Sequence, residues 1–192
     1  AGAVNTLFMN EAGEICGDNT DGSGLVADLK QNLGRELSEA RILLLGAGGA
    51  VRGVIKPLLD EGVCELVLAN RTVSKAEALK DLFADDRISV SRFEDVPEPA
   101  YDIVINGTAA SLAGDLPPIP DGCVSSHTLA YDMMYSAKQT PFCHWASERG
   151  AQAVDGLGML VEQAADAFFI WRGVRPQTAD LLATLRAEIS GN

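Results

Sequence analysis

Two groups of residues in this chain have the types and spacing to hold a nucleotide between them. Gly46-Ala47-Gly48-Gly49-Ala50 offers consecutive backbone amides with almost no side-chain bulk, which is what a chain needs where phosphates must approach it. Asn70-Arg71-Thr72, with Ser74 and Lys75 just behind, offers a planar guanidinium fork, hydroxyls, a carboxamide and an ammonium group, and no carboxylate. In a dinucleotide site an acidic side chain here would accept hydrogen bonds from the adenosine ribose. A fork of N–H donors with no acid beside it suits a ribose 2′-phosphate instead. The expectation is NADP rather than NAD. A third group, Gly17-Asp18-Asn19-Thr20-Asp21-Gly22, is dense in carboxylate and amide. It reads as turn and capping chemistry, because a calcium loop would need further oxygen ligands and a distal glutamate. No metal is expected.

These groups need elements to hold them. Arg41-Ile42-Leu43-Leu44-Leu45 is apolar at consecutive positions, the pattern of a parallel strand covered on both faces. The glycine turn follows at once, then a helix over residues 51–61 whose first amides point into the turn, with Gly62 at its end. Residues 65–69 supply a second strand. This is a strand–turn–helix–strand unit of dinucleotide-binding length, although Val51 stands where a third glycine or alanine is usual. The fold class expected is α/β, a doubly wound parallel sheet of Rossmann type.

Upstream, residues 3–9 and 15–16 flank a polar, glycine-bearing connection and suggest a hairpin. Ser23 is placed to cap a helix carrying Leu25, Val26, Leu29 and Leu33, which Gly34 ends. Downstream, Ser74 is placed to cap a helix over 74–84 with Ala76, Leu79, Leu82 and Phe83 inward. Further strands are expected over 88–93, 101–106, 128–133 and 152–154, and helices over 140–149 and 159–171. Pro176 is expected to start a last helix, with Leu181, Leu182, Leu185 and Ile189 on one face. Asn106 and Thr108, just past a buried strand, would lie near the ligand crevice. His127 and His144 read as surface or packing residues, and Trp145 and Trp171 as core anchors.

The chain has 192 residues, 47% of them hydrophobic, and a formal net charge of −12. That charge repels nucleic acid and anionic membrane surfaces, so any phosphate ligand must be held by local donors. No stretch approaches the ~20 apolar residues that span a bilayer. Cys16, Cys64, Cys123 and Cys143 form no Cys-x-x-Cys pair and read as reduced thiols of a cytoplasmic protein. The numbering opens at Ala1 without an initiating methionine, as though inside a longer protein.

Taken in order, Gly2-Ala3-Val4-Asn5-Thr6, the residue 17–22 cluster, residues 46–53, Asn70-Arg71-Thr72, Tyr131-Asp132-Met133 and Asp155-Gly156-Leu157-Gly158-Met159-Leu160 resemble shikimate dehydrogenase, over nearly the whole chain. The resemblance implies NADPH-dependent reduction of 3-dehydroshikimate to shikimate. It implies that Asn5, Asp21, Tyr135 and Gln163 contact the substrate, and that Asp21 is the acidic half of a catalytic Lys–Asp pair. Gly46, Ala47, Gly48, Gly49 and Ala50 would cradle the pyrophosphate. Asn70, Arg71, Thr72, Val73, Ser74 and Lys75 would take the adenosine end, and Met133 and Gly156 the nicotinamide. It further implies a fragment of the substrate domain at 1–22, a cofactor domain at 23–156, and helices at 157–192 returning to the substrate domain. The family's catalytic lysine lies in an Asn-Val-Thr-Val-Pro-Phe-Lys stretch that these residues do not contain, so the isolated chain is expected to bind NADP with negligible turnover. Two further departures are Gly107 and Ala109, where the family has Asn-Ala-Thr-Ser. A quinate/shikimate dehydrogenase using NAD, or a non-catalytic NADP-binding module, are the rival readings. A monomer or homodimer is expected, with the end strips exposing apolar faces.

Overall fold

A computed structural model describes residues 2–110 and 114–191. Two short strands, β1 (Thr6–Met9) and β2 (Ile15–Asp18), pair antiparallel as a hairpin. Helix α1 (Asp21–Ala27) then widens into a π-helical turn, Asp28–Asn32, and Gly34 leaves it with positive φ. The main sheet has six parallel strands in the order β5-β4-β3-β6-β7-β8. They are β3 (Arg41–Leu45), β4 (Glu65–Ala69), β5 (Ile88–Ser91), β6 (Ile103–Asn106), β7 (Leu129–Asp132) and β8 (Gln152–Asp155). The helices are α2 (Gly49–Asp60), α3 (Val73–Phe83), α4 (Pro141–Glu148), α5 (Leu157–Arg172) and α6 (Ala179–Ile189).

Alternation along the central strands builds two cores, one on each face. Ile42, Leu44, Leu66, Leu68 and Ile105 join α1, α2 and α3 on one side. Leu43, Leu45, Val67, Val104 and Phe142 pack on the other. Each such fully buried side chain contributes roughly 1.5–3 kcal/mol. The chain winds outward from β3 to β5, then returns to β6 on the far side of β3. The strand order therefore reverses between β3 and β6, where Leu45 and Asn106 are register partners. That reversal opens a crevice at the carboxyl ends of the strands.

Several expectations are corrected. Helix α2 begins at Gly49 rather than Val51, because Gly48 and Gly49 serve as its cap and first turn. Ser23 does not cap α1; it lies inside the first turn and donates to the Thr20 carbonyl at 3.2 Å. The capping acceptors come from elsewhere: Asn19 Oδ1 takes the Asp21 amide and Asn5 Oδ1 the Thr20 amide. Ser74 likewise sits one residue inside α3, with Thr72 at the cap position. Leu82 is exposed, since it turns away from the Ala76–Leu79 stripe. Pro176 precedes α6 without belonging to it, and no residue of α6 is buried. Trp171 is 55% exposed, not a core anchor, and its indole Nε1 donates to the Leu7 carbonyl of β1 at 2.8 Å. Trp145 does pack on the second core, stacked on Phe142.

Candidate functional site

The carboxyl ends of β3, β4 and β6 present the groups expected to meet a nucleotide. Gly46 leaves β3 with φ +111° and donates its amide to the Ala69 carbonyl at 2.8 Å, which ties the turn to β4. A side chain at Gly46 would be strained by that φ. Gly48 and Gly49 are exposed, and a Cβ added at either would meet nothing within 4 Å. Open space therefore faces the first amides of α2, which carry no side-chain cap and no acid in the first turn. Free amides at a positive helix end fit a diphosphate.

Beyond β4, Asn70 turns its carboxamide onto the Thr72 carbonyl at 2.8 Å and shapes the loop itself. Arg71, Thr72, Ser74 and Lys75 are exposed, and neither Arg71 nor Lys75 makes an ion pair among the described residues. Val73 is half-buried at the first position of α3. Beside them lies a cavity of about 560 Å³ walled by Phe93, Leu116, Pro117 and Pro118, with Asn70 and Thr108 at its polar side. Its size and apolar walls suit a planar base. These residues fit a dinucleotide with an extra phosphate on its adenosine ribose.

A second group gathers on the hairpin side. Asn5 Nδ2 donates to Asp21 Oδ1 and to Gln163 Oε1, both at 2.9 Å. Its Oδ1 accepts from the Thr20 amide, the Thr20 hydroxyl and the Thr6 hydroxyl. One carboxamide thus joins β1, the start of α1 and the middle of α5. Gln163 can come this close because Gly24 of α1 has no side chain; a Cβ there would sit 2.6 Å from the Gln163 amide nitrogen. Asp21, at the N-terminus of α1, is held as well by Asn19 Nδ2 at 3.5 Å. The cluster leaves carboxylate and carbonyl oxygens able to accept bonds from a polyhydroxylated ligand.

Met133, buried, and Gly156 lie back to back, since a Cβ on Gly156 would collide with the Met133 carbonyl oxygen. The Gly156 amide donates to the Met134 carbonyl at 3.0 Å. Tyr135, expected beside Asn5 and Gln163, is 44% exposed on the loop after β7 and hydrogen-bonds to neither.

Buried polar groups position the site in roles that the sequence did not suggest. Asp132, fully buried, accepts from Asn106 Nδ2, the Met134 amide and the Thr140 hydroxyl, so one carboxylate shapes the loops after β6 and β7. Asp28, 2% exposed, accepts from the Tyr131 hydroxyl at 2.6 Å and from Asn32 at 2.8 Å. Burial raises the Asp28 pKa, and the Tyr131 and Asn32 hydrogen bonds pull it back down. The Tyr131 hydroxyl in turn accepts the Met159 amide of α5 at 3.2 Å. For Asp28 the signal was an acidic residue at an inward position of an apolar helix.

Residues 28–113 match a family model described as Shikimate / quinate 5-dehydrogenase, and residues 156–186 one described as Shikimate 5'-dehydrogenase C-terminal domain. The Shikimate dehydrogenase (NADP(+)) of Hahella chejuensis is 59% identical over 188 residues, 97% of this chain and 69% of that protein. Among solved structures, an Ael1 enzyme from Pseudomonas putida aligns with a TM-score of 0.90 at 48% identity, over 95% of this chain and 68% of the other. The shikimate 5-dehydrogenase from Thermus thermophilus, in complex with NADP(H) and shikimate, aligns with a TM-score of 0.82 at 33% identity, over 96% and 68%.

Proposed function

The chain belongs to the shikimate dehydrogenase (NADP(+)) family, and from that premise we propose that it takes NADP in the crevice beyond β3, β4 and β6 and serves the reduction of 3-dehydroshikimate to shikimate. The carrying observation is Asn5 bonded at once to Asp21 and Gln163, three side chains assigned to one substrate by resemblance and gathered from distant parts of the chain. Gly46, Ala47, Gly48, Gly49 and Ala50 hold the pyrophosphate on their amides. Asn70, Arg71, Thr72, Val73, Ser74 and Lys75 take the adenosine end, and Met133 and Gly156 border the nicotinamide. Residues 23–156 act as the cofactor domain, and 1–22 and 157–192 belong with the substrate side.

Reduction of a ketone requires a hydride and a proton; the hydride is the chemistry that NADPH supplies when bound. The chain's own residues orient the ring. Gln163 hydrogen-bonds its hydroxyls, Asn5 does so by exchanging its bond to Asp21 or Gln163, and Tyr135 contacts it from the loop after β7. Asp21 accepts a hydroxyl and would form the acidic half of a pair with a proton-donating lysine, which these residues do not supply. A positioned acid of this kind contributes roughly 10²–10⁴-fold to rate. No Asn-Val-Thr-Val-Pro-Phe-Lys stretch occurs in the 192 residues, so this chain by itself binds NADP and turns over negligibly. Titration with NADP and NAD, followed by turnover assays on the 192-residue chain, tests both statements. NADP is expected to bind more tightly and turnover to stay near background. Tighter NAD binding overturns the first statement, and robust turnover the second.

A further inference from the structure

We propose that Arg92 is a third cation on the ribose 2′-phosphate and so helps set the preference for NADP over NAD; this rests on the NADP reading above. Nothing in its immediate sequence marks Arg92 as a ligand residue. Its placement does. It follows β5 directly, and β5 lies beside β4 with Ser91 opposite Ala69. The pairing runs one step further, because the Asn70 amide donates to the Ser91 carbonyl at 3.2 Å. Arg92 is therefore lateral to Asn70 and next to Arg71 in the order of the sheet. The Ser91 hydroxyl donates to the Arg92 carbonyl at 2.8 Å and steadies the backbone there.

Alternation fixes the face. Phe93 belongs to the second core, whereas Val90 packs on the first, with Ala76 and Leu79 of α3. Arg92, two residues after Val90, continues on the α3 side. The first turn of α3 carries Ser74 and Lys75. Arg71, Lys75 and Arg92 thus border one patch at the ends of β4 and β5. All three are exposed and none forms an ion pair among the described residues. By contrast Arg41, Arg87, Arg149, Arg175 and Arg186 each pair with a carboxylate.

Charge also decides where the phosphate goes. Glu94 and Asp115 line the adjoining base cavity, with Arg71 at its edge; two carboxylates against one guanidinium disfavour an anion inside it while tolerating a neutral adenine. The chain's net charge of −12 adds to that repulsion. A dianionic phosphate is favoured on the α3 side, where Arg71, Lys75 and Arg92 border the surface. A single cation would offset little of that field; three together bind the phosphate and discriminate against its absence.

The test compares Arg92→Gln, Arg71→Gln and Lys80→Gln, the last on the far end of α3, by titration with NADP, NAD and 2′,5′-ADP at low and at physiological salt. Arg92→Gln is expected to weaken NADP and 2′,5′-ADP by roughly tenfold while leaving NAD unchanged, and to flatten the salt dependence. Lys80→Gln is expected to change none of these. If the unsubstituted chain prefers NADP and Arg92→Gln keeps that preference in full, the assignment of Arg92 is overturned. If the unsubstituted chain shows no preference for NADP, the cofactor reading itself fails first.

Discussion

Val51 and Gly107 depart from the usual pattern at two separate places in the sequence, and the fold brings them together. Val51 is fully buried at the start of α2. A Cβ on Gly107 would collide with its Cγ2 and lie 3.0 Å from the Met133 sulfur. The bulk gained at 51 is accommodated by the bulk absent at 107. Gly107→Ala is therefore expected to destabilise by roughly 1–3 kcal/mol through overpacking, and Val51→Ala in the same chain to recover much of the loss. Denaturant unfolding of both single variants and the double variant measures the coupling; strictly additive losses would show that Val51 does not dictate the glycine. At this scale the residue types of the candidate site were legible. Gly46 to Ala50 and Arg71 carry their chemistry in their own side chains or lack of one. Pairings such as Val51 with Gly107 depend on neighbours supplied by the sheet, and no short-range pattern encodes them.

Among the elements, α5 carries both Gln163 and the turn after Gly156, and it is held by groups buried beneath it. The Tyr131 hydroxyl links the Asp28 carboxylate to the Met159 amide. Glu162, fully buried, accepts from Asn32, Arg175 and Thr178. Tyr131→Phe leaves the Asp28 carboxylate short of a donor and the Met159 amide unpaired, at a cost of roughly 1–3 kcal/mol. The pH dependence has a definite sign. Burial raises the Asp28 pKa above its ordinary 3.8, so the folded state holds that proton more firmly than the unfolded one. Stability from this group declines as pH rises from 3.8 through the raised value, and stays lower above it. Loss of the Tyr131 donor raises the value further. The deficit of Tyr131→Phe should therefore be smaller near pH ~4 than at pH ~7 when unfolding is followed at both. An equal deficit at the two pH values would count against this account of the pair. Hydrophobic periodicity located these helices to within a few residues, but it misplaced Ser23 and Ser74. The start of α1 takes its acceptors instead from Asn19, just before it, and from Asn5, 15 residues from Thr20 in sequence, a supply that periodicity does not see.

Across the whole molecule the doubly wound sheet was readable from consecutive apolar runs, because parallel strands buried on both faces write that pattern plainly. The order β5-β4-β3-β6-β7-β8 was not written there, since it depends on which side of β3 the chain returns to. The apolar exposure expected of the end strips is found beside the hairpin. Leu7, Met9, Ile15, Phe169, Trp171 and Val174 are all exposed, an accumulation of apolar side chains of the kind that promotes association. Light scattering is expected to show apparent mass rising with concentration, and Met9→Ser with Ile15→Ser to reduce the rise. A strict monomer at every concentration would remove this expectation.

Trp171 lies at the edge of that surface, with its indole nitrogen bonded to the Leu7 carbonyl, while Trp145 is clamped between Phe142 and Arg149. The protein thereby carries one reporter fluorophore and one internal standard. Whatever lifts the hairpin from α5, or covers it, is written in the emission of Trp171 against the steady light of Trp145.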